Sequence, residues 1–174
     1  MLALAMCLAL SRPARAAEIH DAARKGDLVR ATQILASNPK AATARDGQGF
    51  TPLHWAAAKG NAKLAALLLG KGADPGAKGS LDVTPLHWAA SNGALDVVSL
   101  LLSKKAPASA PTKRGVTPLH LAAANHRLKV AEELITHGAQ VNAVTADGMT
   151  PLADAKLEGD KEMVALLMKH GGHP

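Results

Sequence analysis

The sequence predicts an all-α solenoid of about five 33-residue helix-turn-helix units joined by β-hairpin or finger loops, and three observations carry that expectation. TPLHWAA starts at Thr51 and again at Thr84, TPLHLAA at Thr117 and TPLADAK at Thr150, a constant step of 33 residues. The 174-residue chain holds 37 Ala and 25 Leu but one Phe, two Trp and no Tyr, so small apolar side chains must fill the interior. Such a composition suits helices packed closely through Ala and disfavours an aromatic-rich sandwich or barrel. Pro follows each of these Thr residues and Gly recurs at the ends of apolar stretches, which is the punctuation of short helices.

The first element in chain order is a leader. MLALAMCLAL is apolar but, at ten residues, half of the roughly 20 that a membrane-spanning helix needs. Ser11-Arg12-Pro13 interrupts it, and Ala14-Arg15-Ala16 forms an A-x-A cleavage pattern. The expectation is a signal peptide over 1–16, a mature chain over 17–174, and a periplasmic or secreted, bacterial protein. No Lys or Arg follows Met1, which keeps a cytoplasmic protein with an apolar N-terminus as the alternative. Loss of Arg12 and Arg15 would lower the formal charge from +6 to +4. It would also remove Cys7, the single cysteine, leaving a thiol-free chain suited to an oxidising compartment. One cysteine also excludes an intramolecular disulfide framework and a CxxC site.

Five copies tile the remainder, approximately 18–50, 51–83, 84–116, 117–149 and 150–174; the first begins EIHDAARKGDL and lacks Thr-Pro. Within a unit the Thr can cap a helix by accepting from an early backbone N–H, and Pro at the first helical position gives up no needed donor. Ala56-Ala57 and Ala89-Ala90 let a neighbouring helix approach. Gly60, Gly93 and Gly159 stand where a left-handed residue reverses the chain. A Leu-rich second helix follows, in which Leu100 is expected to be buried between the third and fourth units. Gly72, Gly138 and Gly171 close that helix. Lys105, His126 and Asp82 occupy places that other copies fill with Gly, and Glu133 stands where Leu67, Leu100 and Leu166 stand, so the third and fourth units are the expected weak points.

The chain resembles the ankyrin-repeat family, on TPLH three times, on GADPGA at Gly72–Ala77, on GAQVNA at Gly138–Ala143 and on the interval, over essentially all of residues 18–174. The resemblance implies paired helices with fingers projecting from one edge to form a concave groove, and a protein-binding rather than catalytic role. The first and last copies read as caps with polar outer faces.

No phosphate loop, nucleophile motif or paired catalytic carboxylate is present, and no cofactor is expected. His54, His87 and His120 recur once per unit, too far apart to share one ion because stacked helices lie about 8–10 Å apart. Their expected role is a hydrogen bond to the unit's own Thr and adjoining backbone, which the resemblance also implies. His137 and His170 are expected to cap carbonyls at helix ends. His170 and His173 form an HxxH at an end expected to be mobile, which carries the alternative reading of a metal- or small-molecule-binding accessory of an exported enzyme.

The expected binding surface is an apolar stripe ahead of each Thr, namely Phe50, Val83, Val116 and Met149, with Leu81 beside it. The family resemblance places this stripe at the finger's return to the first helix. Ala58, Ser91 and Ala124 leave room next to it, and Lys59, Asn92, Asn125 and Glu158 supply a polar edge. Lys78, Lys113 and Arg114 form basic fingertips that would attract an acidic protein. The alternatives are a stripe that only packs the fingers and a basic edge that is only solvated. Nucleic acid is not expected, since stacking aromatics and a basic groove helix are missing. The mature chain is expected to be a monomer without stable membrane insertion.

Overall fold

In the computed structural model, residues 12–173 are described, with side chains from Ala17 onward; residues 1–11 of the expected leader, Cys7 among them, lie outside these residues, and 12–16 belong to the first helix. Ten α-helices form five antiparallel pairs: α1 (Arg12–Lys25) with α2 (Leu28–Ser37), α3 (Pro52–Ala58) with α4 (Ala62–Gly70), α5 (Pro85–Asn92) with α6 (Leu95–Ser103), α7 (Pro118–Ala124) with α8 (Leu128–Thr136), and α9 (Pro151–Leu157) with α10 (Lys161–Lys169). The odd-numbered helices stack on one another in one row and the even-numbered helices in a second. Among the described residues there is no strand, and the fingers are tight turns. A backbone bond spans each finger from end to end, as in Gly79 N–H to Val83 O (2.8 Å) and Thr112 N–H to Val116 O (2.9 Å). No helix among the described residues is long and apolar enough to cross a membrane.

Close stacking follows from the Ala pairs. Ala56, Ala57, Ala89, Ala90, Ala122 and Ala123 are all fully buried, so each first helix meets the next with almost no side chain between them. The second-helix row contributes Leu68, Leu101, Leu134 and Leu167 to the core, each without exposed area. This corrects the expected register by one residue: Leu100, like Leu67 and Leu166, packs against the core but is only half-buried. Glu133 shares that half-buried position, its side chain 27% exposed and its carboxylate 3.8 Å from His137 Nδ1. A carboxylate is tolerated there because its end still reaches solvent.

Turns between the paired helices need a left-handed residue. Gly93 supplies one at the end of α5 with φ 73°, and its backbone N–H returns to Ala90 O. His126 (φ 58°) and Lys105 (φ 64°) adopt the same region without being glycine, as do Leu81 and Asp82 in the finger entering the third unit. Each such residue costs up to ~1 kcal/mol relative to Gly. His126 recovers part of this by pairing with Asp160 at 2.9 Å.

The histidines join the units. His54 Nδ1 accepts from Thr51 N–H (3.0 Å) and from the Thr51 hydroxyl (2.9 Å), which leaves the proton on Nε2, from which it is donated to Val83 O at 3.0 Å. His87 bridges Thr84 to Val116 O, and His120 bridges Thr117 to Met149 O, in the same way. His20 makes the first link, its Nε2 3.1 Å from Phe50 O. The fifth unit has Ala153 in place of His, and there the Thr150 hydroxyl instead accepts from Ala153 N–H at 3.2 Å. Expected contacts of His54, His87 and His120 with their own Thr are therefore present, and each also reaches the following unit. Burial pushes the His54 ring down to about 4 and lowers His87 and His120 as well, while the carbonyl each faces pulls the other way.

Two measurable consequences follow from this packing. Leu101→Ala should lower stability by roughly 2–5 kcal/mol through lost burial and a residual cavity, and Leu100→Ala by clearly less. Equal losses in urea denaturation would refute the register. The unfolded state takes up protons on its histidines below about pH 6.5, whereas the folded state resists until its lowered values are reached. Stability is thus complete above pH 6.5 and declines as pH falls toward 4, by about 2 kcal/mol at pH 5 from His54 alone. A urea midpoint unchanged between pH 7 and pH 5 would show that the links do not titrate this way.

Candidate functional site

Each finger descends to its apolar residue, turns into the buried Thr and continues as a first helix, so the inner angle between fingers and first helices is a groove lined from both sides. Phe50 does not present its ring along this groove as the sequence reading expects. It is 8% exposed, with ring centroids 5.2 Å from His54 and 4.9 Å from Trp88. A Cβ at Gly79 would enter the Phe50 ring, so the next finger closes over it. Trp55 and Trp88 meet edge to face at 4.9 Å, which gathers the one Phe and both Trp of the chain into a single cluster. The Arg24 guanidinium caps Trp55 at 4.2 Å and lies 3.3 Å from Asp46. Burial works against the Asp46 carboxylate, but N–H groups of Gln48, Phe50 and the Trp55 indole outweigh it and hold the group below the usual carboxylate range. The large aromatic anchor of the stripe is thus a packing element of the first two fingers.

The remaining stripe residues do face the groove. Leu81 is 59% exposed, and Val83, Val116 and Met149 are half-buried. Leu81, Val83, Trp88, Val116 and Leu121 line an apolar hollow of about 330 Å³, rimmed by Ser91, Thr112 and Arg114. A second hollow of about 270 Å³ continues from it through Arg114, Val116 and Leu121 to Ala124, Met149, Asp147 and Asp154. Sequence reading overlooked the floor of this groove: Trp55, Trp88, Leu121 and Asp154, all half-buried, each stand immediately after the His position and recur with the same 33-residue step. Their signal is the position after the His place, Trp in two copies of TPLHxAA, Leu in the third, and Asp in the TPLADAK of the fifth unit.

The expected polar edge is partly occupied with holding the scaffold. Asn92 Nδ2 donates to Ala58 O in the preceding unit at 2.8 Å, and Asn125 Nδ2 donates to Leu121 O at 2.8 Å. Lys59 is exposed at the end of α3, and Glu158 lies 3.9 Å from His126. At the fingertips Lys78 pairs with Asp82 at 3.5 Å and Arg114 with Asp147 at 2.6 Å, so these two cations are balanced by the protein's own carboxylates. Lys113 is exposed, and its backbone N–H ties its finger to Leu81 O at 2.9 Å.

At helix ends, His137 Nδ1 donates to Glu133 O at 2.9 Å, a carbonyl cap. The end that carries His170 and His173 is tied down rather than loose, because Asn142 receives His173 N–H at 3.0 Å and donates to Gly171 O at 2.9 Å. Among the described residues, no three His, Cys, Asp or Glu side chains are grouped so as to hold a metal ion.

The surface is therefore a graded groove: aromatic and closed at the first two units, apolar and open at the third and fourth, acidic at the fifth. Comparison with known proteins places that geometry. The profile of the family described as "Ankyrin repeats (3 copies)" matches residues 19–112 and 105–174. Similar segments occur in a transient receptor potential cation channel subfamily A member 1 homolog of Caenorhabditis elegans, 43% identical over 34% of this chain and 5% of that protein. They occur also in the 2-5A-dependent ribonuclease of Mus musculus, 44% identical over 31% of this chain and 7% of that protein. The palmitoyltransferase akr1 of Neurospora crassa is 36% identical over 38% of this chain and 9% of its own length. What is shared with these much longer proteins is thus a short stretch of repeats, of a kind that is generally non-catalytic and mediates contact between proteins. Because the profile spans nearly every residue from Ile19 onward and the helix pairs, Thr-Pro starts and histidine links recur along the same stretch, the chain belongs to the ankyrin-repeat family.

Proposed function

We propose that this chain is a non-enzymatic scaffold that captures a protein partner in the groove between its fingers and first helices, acting in the periplasm or outside a bacterial cell. The observation that carries this reading is the continuous apolar floor formed by Leu81, Val83, Trp88, Val116 and Leu121, whose exposure is not needed to close the core. A rigid groove assembled from stacked units loses little entropy on docking, and a few central apolar contacts supply most of the affinity. Lys113 and the exposed fingertip ion pairs would act on the rate of encounter more than on final affinity.

Export rests on the apolar leader, the Ala14-Arg15-Ala16 pattern and the absence of Cys beyond Cys7. Mass analysis of natively produced protein should find Ala17 as the N-terminus, in the periplasmic or secreted fraction. An intact Met1 in cytosol would overturn that part.

Binding is tested by comparing the wild-type chain with Leu81→Ser/Val116→Ser as bait for a periplasmic extract. The pair of changes should reduce partner capture at least tenfold with the helical signal retained, because both side chains are only partly covered in the free protein. Retained capture by a folded variant would show that the stripe serves only to pack the fingers.

A further inference from the structure

Asp154 is the one carboxylate in the row Trp55, Trp88, Leu121, Asp154 that floors the groove. It is half-buried, and among the described residues no hydrogen bond or ion pair reaches its side chain. The cationic and imidazole groups that line the hollow with it are engaged elsewhere: Arg114 with Asp147, and His120 between Thr117 and Met149 O. Burial raises the Asp154 carboxyl above its usual range, His120 opposes this, and Glu158 adds to it. Asp147 lines the same hollow with its partner Arg114, so Asp154 is what leaves the end of the groove with a net negative charge although the chain as a whole is basic. The adjoining hollow contributes apolar surface up to Leu121, the first-helix neighbour of Asp154.

Resting on the groove as the binding surface, we infer that its occupant is an extended segment of a partner protein that sets a Lys or Arg side chain on Asp154 and an apolar side chain in the Trp88–Leu121 hollow. Charge complementarity selects the cation. An incoming ammonium or guanidinium meets a carboxylate that is already partly stripped of water and lacks an internal partner, so it supplies a compensation that the free protein does not make. Geometry selects the spacing. Neighbouring first helices lie about 8–10 Å apart, so the hollow between Trp88 and Leu121 is centred one and a half steps, about 12–15 Å, from Asp154; an extended chain advancing about 3.3 Å per residue then puts the cation about four positions from the apolar anchor. The recognised element is therefore basic and apolar, whereas the fingertips considered from sequence point to an acidic partner; the ion pairs at Lys78 and Arg114 are the reason to favour the groove floor.

The probe is a phage-displayed library of random dodecapeptides, selected on the full chain. Peptides recovered on wild type should carry Lys or Arg about four positions from Leu, Ile, Met or Phe. The best of them, made synthetically, should bind Asp154→Asn at least tenfold more weakly, and its Lys→Glu form should regain affinity on Asp154→Lys. That exchange of charges does not occur if Asp154 is merely structural. Selection without enrichment of a cation, or affinity indifferent to Asp154→Asn, overturns the inference. The groove reading survives that failure if Leu81→Ser/Val116→Ser still weakens the same peptides, and falls with it if they are equally indifferent to that pair. If sedimentation instead shows a wild-type dimer that dissociates in Asp154→Asn, the occupant is a second copy of the chain and the assignment to a partner segment is wrong.

Discussion

A neutral imidazole spanning two units is the contact on which the rest of the architecture depends. His54, His87 and His120 each take a backbone N–H of their own Thr at Nδ1 and give the Nε2 proton to the carbonyl that ends the next finger, as His87 does from Thr84 to Val116 O. Both bonded backbone groups are main-chain polar atoms at the start of a helix or the end of a turn, where regular secondary structure offers no partner. One side chain thereby settles the entry to its own helix and the height of the following finger. The groove inherits its shape from that link, since Val83, Val116 and Met149 are the residues whose carbonyls are held. Substitution by Gln or Asn would not reproduce it, because neither presents the two ring nitrogens at the same separation.

Much of this was legible in the sequence where local chemistry repeats. Thr-Pro starts, Ala-Ala contacts, the reversal at Gly93 and the soft positions Lys105 and His126 all follow from residue type at a fixed offset, and the helices and positive φ angles lie where that offset puts them. Register within the second helix was harder. The run VVSLLL at Val97–Leu102 is apolar at every place but Ser99, so periodicity does not distinguish Leu100 from Leu101; only the stacked neighbour decides that Leu101 faces inward. Phe50 was misjudged for a related reason. Its position in the stripe is the same as that of Val83, but its larger ring reaches across to Trp88 and beneath Gly79, a contact between units that no single unit encodes. The floor residues Trp55, Trp88, Leu121 and Asp154 occupy a place whose residue type the repeat does not fix, so the pattern that marks the helix starts does not mark them.

Stacking of this kind is nearest-neighbour by construction. Helix rows touch the unit before and the unit after, with no layer that spans the whole. Local defects are therefore not averaged over the chain. The left-handed Leu81 and Asp82 belong to the finger that lines the apolar hollow, so the stretch of groove with the most open surface also carries a strained turn. Tight Ala-Ala contact keeps the first helices in place beneath it, and the fingers above have the smaller hold, a few turn bonds within each and single backbone bonds between later neighbours, Lys113 N–H to Leu81 O and Ala146 N–H to Arg114 O.

The aromatic cluster gives this asymmetry an optical label. Both indoles of the chain belong to the second and third units, packed on Phe50 and, at Trp55, on Arg24. Intrinsic emission is consequently a reading of the front of the stack, blind to α8, α9 and α10, while far-ultraviolet ellipticity counts every helix equally. In a solenoid whose ends can fray independently, those two signals report different populations, and the gap between them is a measure of how far cooperativity extends along the array.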